Sequence, residues 1–264
     1  MEVINKSSIL RMVRTDFARA FLSPRFVISV AAGMGVCYFT MLFCGFPGPT
    51  VHMFVYMHDK SQIFLALIIG VLPYSACFYA DFLHGNIRNV LGRAHMGGYV
   101  FSKSAAAVAS SVTAFVCGKL IFTAFYSMGH PVCLPGTLDA LPGSLLYGNL
   151  AEERHYFTFF LLASLHRALY CGVLCQVVML VSVWVPNLSV MFSIPVGVFY
   201  VVNFHLRNIT KAEYLNLSRI FSGTTRVWAS DAQNFAYAVA VAAVLYLILF
   251  RATLWSMRRK IYHV

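Results

Sequence analysis

Long apolar runs are the feature that most limits what this chain can fold into. Four of them, residues 26–46, 63–80, 188–204 and 234–250, contain no Asp, Glu, Lys or Arg, and two longer ones, 101–128 and 157–185, carry a few basic side chains. A helix needs about 20 such residues to cross a ~30 Å hydrocarbon core, and a helix satisfies its own backbone polar groups in lipid. The pattern predicts an all-α polytopic membrane protein with six transmembrane helices.

Composition supports the same fold class. The chain is 59% hydrophobic and only 11% charged, whereas a soluble domain carries roughly 25% charged residues. The outer surface of the protein must therefore be apolar as well. Because six spans occupy about half of the 264 residues, we expect a single transmembrane domain over 1–264 and no separate soluble domain.

Basic residues lie between the apolar runs, which gives the chain a direction in the membrane. With the amino terminus inside, about twelve Lys and Arg fall in inner segments and about six in outer ones, as the positive-inside bias requires. We expect a multi-pass protein of the bacterial plasma membrane with both termini cytoplasmic. The net charge of +11 is explained in this way, so we expect no nucleic-acid partner. Residues 205–233 are the exception, since they place four basic residues outside.

An amphipathic stretch precedes the first span. Apolar residues recur there at helical spacing with arginines between them: Leu10, Val13, Phe17 and Phe21, with Arg11, Arg14 and Arg19. The pattern predicts an interfacial helix over 1–24, with its arginines toward anionic lipid, and a six-span bundle over 25–264. The alternative is an ordinary soluble amphipathic helix, which needs a partner surface.

Motifs of energy-converting or metal chemistry are absent from the sequence. No G-x-x-x-x-G-K-[ST] occurs, so ATP hydrolysis through a P-loop is excluded. There is no H-E-x-x-H, and the nine histidines show no helical metal-site spacing. We expect no catalytic residue, no metal site and no cofactor bound by this chain.

The order of parts resembles a known family. An interfacial helix, six spans, a polar inner connection after the second span and a sizeable outer segment before the last are the layout of the permease subunit of a type-2 ABC exporter. Local support comes from the stretch between Asp81 and Lys103, which resembles the family pattern of an acidic residue, a glycine, a short amphipathic helix and a lysine opening the third span.

The resemblance implies a coupling helix near 84–94 that docks into a groove of a separate ATPase subunit. The residues placed there are Gly85, Ile87, Arg88, Val90, Leu91 and Arg93. Ile87, Val90 and Leu91 share one helical face, which suits a hydrophobic groove. The alternative is a polar inner loop that only follows the charge bias. The resemblance further implies a second permease subunit, membrane lipid as surroundings, and ATP and Mg²⁺ bound by the ATPase partner alone. It also implies re-entrant or surface helices within 205–233, and the sequence leaves both arrangements open.

Basic side chains inside the spans are candidates for function. Lys119 lies in the third predicted span, and His166 and Arg167 lie in the fourth. A charge at mid-helix costs roughly 2.5–3.5 kcal/mol, so each must face protein or water rather than lipid. One interpretation is that these residues tie helices together. The other is that they line the outer part of a translocation path and meet an anionic group of the substrate.

Small residues in the first span predict close helix packing. Ser29 and Gly33, and Ala31 and Gly35, have small-xxx-small spacing, which allows two backbones to approach. The partner helix belongs either to the same subunit or to a second copy.

The predicted function is therefore a permease subunit, without an ATPase site of its own, that exports an amphipathic or lipophilic substrate such as a peptide, antibiotic or lipid. The alternatives are an ATP-independent secondary transporter, an intramembrane enzyme, and a membrane scaffold or assembly protein. A secondary transporter normally has repeat symmetry and intramembrane acids, and an enzyme needs paired catalytic groups.

Overall fold

A computed structural model describes residues 6–44, 48–59, 69, 71–85, 87, 95–134, 136, 145–185, 187–201 and 213–262. Within these residues the regular secondary structure is helical, and the one β-type feature is an isolated antiparallel bridge between Leu145 and Thr225. The predicted all-α fold is confirmed.

The helices follow in chain order. They are α1 Lys6–Phe21, α2 Pro24–Cys44, α3 Thr50–Asp59, α4 Cys77–Leu83, α5 Met96–Gly129, α6 Gly148–Glu152, α7 Tyr156–Ser182, α8 Leu188–Tyr200, a 3₁₀ turn Glu213–Leu215, α9 Leu217–Ile220 and α10 Asp231–Tyr262.

Four of these helices, α2, α5, α7 and α10, are long and apolar enough to cross a membrane. They coincide with the first, third, fourth and sixth predicted spans. The second and fifth predicted spans fall partly outside the described residues, and α8 has 13 residues. The count of six transmembrane helices therefore stays a prediction, as does the interfacial placement of α1.

The chain between the first and third spans enters the bundle earlier than the sequence indicates. We predicted an outer connection up to Ile63, but α3 is a helix in which Val51 and Phe54 are buried. Its first backbone N–H groups donate to the segment that follows α5, from Thr50 to the Pro131 carbonyl at 2.9 Å and from Val51 to the Val132 carbonyl at 3.1 Å. The start of α3 is thereby placed beside the C-terminal end of α5.

The helices α5 and α7 form the centre of the bundle. In the most apolar stretch of each helix, 56% of the residues are buried in α5 and 72% in α7, compared with 22% in α2 and 11% in α10. The uncovered faces of α2 and α10 carry large apolar side chains, among them Phe39, Phe43, Leu247 and Ile248. An exposed apolar surface of this extent requires a partner or lipid.

The helices α2 and α5 cross at a pair of glycines. A Cβ atom added to Gly118 would lie 3.0 Å from the Val30 carbonyl oxygen and 3.5 Å from Cα of Gly33. The predicted small-residue surface of α2 is thus used within the subunit at Gly33. At Gly35, by contrast, a Cβ atom would meet nothing within 4 Å.

The two ends of the bundle are distinct. At one end, which we call the inner end, Lys260 of α10 donates to the Val183 carbonyl at the end of α7 and lies 3.9 Å from the Phe82 ring centroid. The start of α5 and α1 meet at the same end. At the opposite, outer end the Tyr126 hydroxyl donates to the Gly48 carbonyl at 2.9 Å.

Candidate functional site

A buried ion-pair cluster joins three separate parts of the chain at the inner end. Lys103 Nζ of α5 lies 2.9 Å from Asp81 Oδ2 of α4 and 3.5 Å from Asp16 Oδ1 of α1. The side chains of Lys103 and Asp16 are each 4% exposed, and that of Asp81 is 15% exposed. Lys103 also donates to the Tyr74 hydroxyl at 3.2 Å.

Hydroxyl groups complete the coordination of both carboxylates. Asp16 accepts hydrogen bonds from Tyr74 at 2.8 Å and from Ser102 at 2.5 Å, and Asp81 accepts one from Tyr99 at 2.5 Å. The Lys103 ammonium also lies 5.3 Å from the centroid of each tyrosine ring. Buried charges persist when they are paired and hydrogen-bonded in this way. We call these residues the inner polar network: Asp16, Tyr74, Asp81, Tyr99, Ser102 and Lys103.

Of the three charged residues in the network, the sequence singled out two and missed one. Asp81 and Lys103 mark the two ends of the predicted coupling stretch, and the structure brings them into contact. Asp16 is the charged residue that the sequence did not single out. The signal that could have found it is its position as the one acidic residue of α1, three residues after Val13 and four before Ala20.

The predicted coupling residues are described in part. Gly85 follows α4 with φ of +66°, a left-handed conformation that favours glycine after a helix end. Ile87 is buried and belongs to the main apolar core. Arg88, Val90, Leu91 and Arg93 lie outside the described residues. Docking of an ATPase at this stretch stays a prediction.

His166 binds two groups from outside its own helix. Its Nε2 lies 2.6 Å from the Ile220 carbonyl oxygen, and a carbonyl only accepts, so Nε2 carries the proton. Nδ1 of the neutral ring then accepts from the Tyr147 hydroxyl at 2.9 Å. Burial raises the pKa of Tyr147, and the carboxylate of Asp231 adds to that rise, so the hydroxyl keeps the proton that it donates.

Arg167 binds the Phe221 carbonyl, which follows the Ile220 carbonyl bound by His166. Its Nη1 donates to the Phe221 carbonyl at 3.2 Å, and the Phe221 ring stacks on Tyr170 at 5.5 Å between centroids. His166 is ten residues beyond Tyr156, the first residue of α7, or about 15 Å along the helix. The stretch 216–224, which we call the buried outer segment, therefore reaches well into the bundle. This favours the re-entrant arrangement over a surface helix.

Lys119 lies on an aromatic face. Its Nζ is 4.0 Å from the Phe54 ring centroid, a cation–π distance, and the Phe54 ring is 4.7 Å from that of Phe160. The three basic residues predicted for a translocation path, Lys119, His166 and Arg167, are thus all buried against protein groups. These contacts favour the interpretation that they tie helices together, and a role in substrate contact stays a prediction.

A buried amide organises the junction between the outer segment and α10. The Asn234 side chain accepts from the backbone N–H groups of Val227 and Trp228 at 2.8 and 2.9 Å. It donates to the carbonyls of Trp228 and Ser230 at 2.8 and 2.7 Å. All its hydrogen-bonding positions are used, so the approach to α10 has a defined conformation.

Metal chemistry has no visible site in the part of the chain that the structure describes, where no three His, Cys, Asp or Glu side chains form a possible metal-binding group. No protein-family model matches the chain, no curated protein matches it, and no solved structure matches its fold. What the protein does must therefore be judged from its own residues.

Proposed function

We propose that the chain is the membrane-spanning permease subunit of an ATP-driven type-2 ABC exporter. Two such subunits and two separate ATPase subunits would form the working unit, and the cargo would be an amphipathic or lipophilic molecule. The observation that carries the proposal is the ion pair between Asp81 and Lys103 at 2.9 Å. It brings the two ends of the inner connection to one buried point.

This geometry suits the transmission of force from a partner. If the inner connection were a flexible loop, it would bend under the force of an ATPase partner, and little of the movement would reach α4 and α5. A connection tied at its base by a buried ion pair passes the movement directly to α4 and α5. Because α5 has 34 residues, it is about 50 Å long, and a tilt at its inner end displaces its outer end as well.

The positions of the tryptophans support placement in a bilayer. All three, Trp184, Trp228 and Trp255, are exposed, one at the outer end and two at the inner end. Tryptophan is enriched at both membrane–water interfaces. From Asp231, at the start of α10, to Trp255 is about 36 Å at 1.5 Å per residue. This is slightly more than the ~30 Å of a hydrocarbon core.

Capture of the partner tests the proposal. The tagged full-length chain would be expressed in a bacterial host that carries its neighbouring genes, solubilised in mild detergent and purified. Bound proteins would then be identified by mass spectrometry. We expect a P-loop ATPase in amounts comparable to the chain itself. If none is present, the proposal is wrong, and a secondary transporter or a scaffold becomes the better explanation.

Variants separate the coupling stretch from the function as a whole. Leu91→Asp is chosen rather than a change at Ile87, because Ile87 is buried in the core and its replacement would disturb folding. Leu91→Asp should abolish capture of the ATPase. Arg258→Glu, which changes an exposed basic residue at the inner end, should leave capture intact. If the wild type, Leu91→Asp and Arg258→Glu all capture the ATPase equally well, the docking surface lies elsewhere.

A further inference from the structure

The attachment of α1 to the bundle depends mainly on one acidic side chain. Among residues 10–21, whose side chains the structure describes, only Asp16 and Ala20 are buried. Leu10 is 73% exposed, and Phe17 stacks on Phe21 of the same helix at 6.0 Å. Met12 is partly buried and packs against the main core. Ala20 and Met12 contribute few apolar contacts, so the polar contacts of Asp16 with Lys103, Tyr74 and Ser102 are the main attachment of α1.

The same helix is equipped for a second environment. Its arginines, Arg11, Arg14 and Arg19, are exposed and lie on surfaces that α5 does not cover. A basic amphipathic helix of this kind binds anionic headgroups. The helix therefore has two competing sets of contacts, one through Asp16 to the bundle and one through its arginines to lipid.

Lys103, which binds Asp16, also binds Asp81 at the start of the inner connection. Lys103 is 2.9 Å from Asp81 and 3.5 Å from Asp16, so one ammonium group serves two carboxylates. A displacement of Asp81 that draws Lys103 toward it lengthens the contact with Asp16. Removing one partner of a buried ion pair shifts an equilibrium by roughly two to four orders of magnitude, which is enough to detach a helix with few other buried contacts.

We infer that the inner polar network is a releasable anchor, through which the position of Asp81 decides whether α1 is held against α5 or freed to the membrane surface. When the contact between Lys103 and Asp16 opens, α1 leaves the bundle while α5 and α7 stay packed. This inference concerns the chain alone and does not depend on an ATPase partner.

Hydrogen exchange tests the inference on the full chain in nanodiscs of phosphatidylethanolamine and phosphatidylglycerol. Asp16→Asn keeps the side-chain shape but removes the charge. We expect backbone amides of residues 6–21 to exchange at least about tenfold faster, with unchanged exchange in α5 and α7. Tyr74→Phe, which removes one hydrogen bond to Asp16, should give a smaller increase. Thr15→Ala, an exposed neighbour, should give none.

Two results would overturn the inference. Unchanged exchange of α1 in Asp16→Asn and Tyr74→Phe would mean that other contacts hold the helix. Equal acceleration in α1, α5 and α7 would mean that Asp16 supports the whole bundle and that α1 has no separate release.

Discussion

Replacing Lys103 with methionine gives the strongest test of the inner polar network as a unit. Methionine keeps most of the side-chain volume but removes the ammonium group. Two carboxylates then remain, one with its side chain 4% exposed and one 15% exposed, and no cation faces them within the network. Their hydroxyl donors, Tyr74, Tyr99 and Ser102, remain but cannot neutralise charge.

The magnitude follows from the burial of the pair. Removing one partner of a buried ion pair costs about 3–5 kcal/mol. At roughly 2–4 °C per kcal/mol for a protein of about this size, the melting temperature of Lys103→Met should fall by roughly 6–20 °C. Neutralising both acids as well, in Asp16→Asn/Asp81→Asn/Lys103→Met, removes the uncompensated charge. The triple variant should recover most of the loss, because only individual hydrogen bonds of about 0.5–1.5 kcal/mol each are then missing.

Buried thiols provide the assay. Cys77, Cys171 and Cys175 are buried thiols, so a thiol-reactive fluorophore reports their exposure as the detergent-solubilised protein unfolds on heating. Arg258→Met at an exposed inner-end position is the control and should melt like the wild type. If the triple variant melts no higher than Lys103→Met, the three charges do not act as one network.

Three further predictions concern packing and the outer end. Gly118→Ala should lower stability by about 1–3 kcal/mol, because its Cβ meets the backbone of α2 at 3.0 Å, whereas Gly35→Ala meets nothing within 4 Å and should be neutral in the same melting assay. Asn234→Ala removes four hydrogen bonds to the backbone, of which the Ser230 carbonyl keeps another, from the backbone N–H of residue 234. The change should cost at least about 1–3 kcal/mol, with the exposed Gln233→Ala as control. His166→Phe keeps a ring but loses both hydrogen bonds, and should accelerate tryptic cleavage of the buried outer segment; an unchanged cleavage rate would contradict the anchoring of that segment by His166.

Much of the bundle was predictable from the sequence because the signal is local. The predicted runs 26–46, 101–128, 157–185 and 234–250 agree within a few residues with the cores of α2, α5, α7 and α10. An apolar run of this length has few alternatives to a helix wherever its backbone must bond internally. Caps and charged ends extend α5 and α10 beyond their apolar runs, which is why those two bounds differ most.

The helix α3 shows where local reasoning fails. Its sequence, Thr50 to Asp59, includes His52, His58 and a terminal acid, so its polarity indicates a connection. Burial of Phe54 depends on aromatic partners in α7 and on Lys119 of α5. Those partners are distant in the chain, and no window of the sequence contains both sides of the contact.

The sequence by itself determined the fold class and the long apolar helices, because both depend on residues close together in the chain. The contact between Asp81 and Lys103 at the two ends of the inner connection was decided by the tertiary structure. Only the tertiary structure decided that Asp16 joins Asp81 and Lys103. Asp16 lies 86 positions before Ser102, whose hydroxyl donates to it. The tertiary structure also decided that His166 and Arg167 bind carbonyls of the buried outer segment. The physical reason is that a buried charge or polar group is stable only beside a partner, and the partner's position is set by the packing of helices rather than by the order of residues.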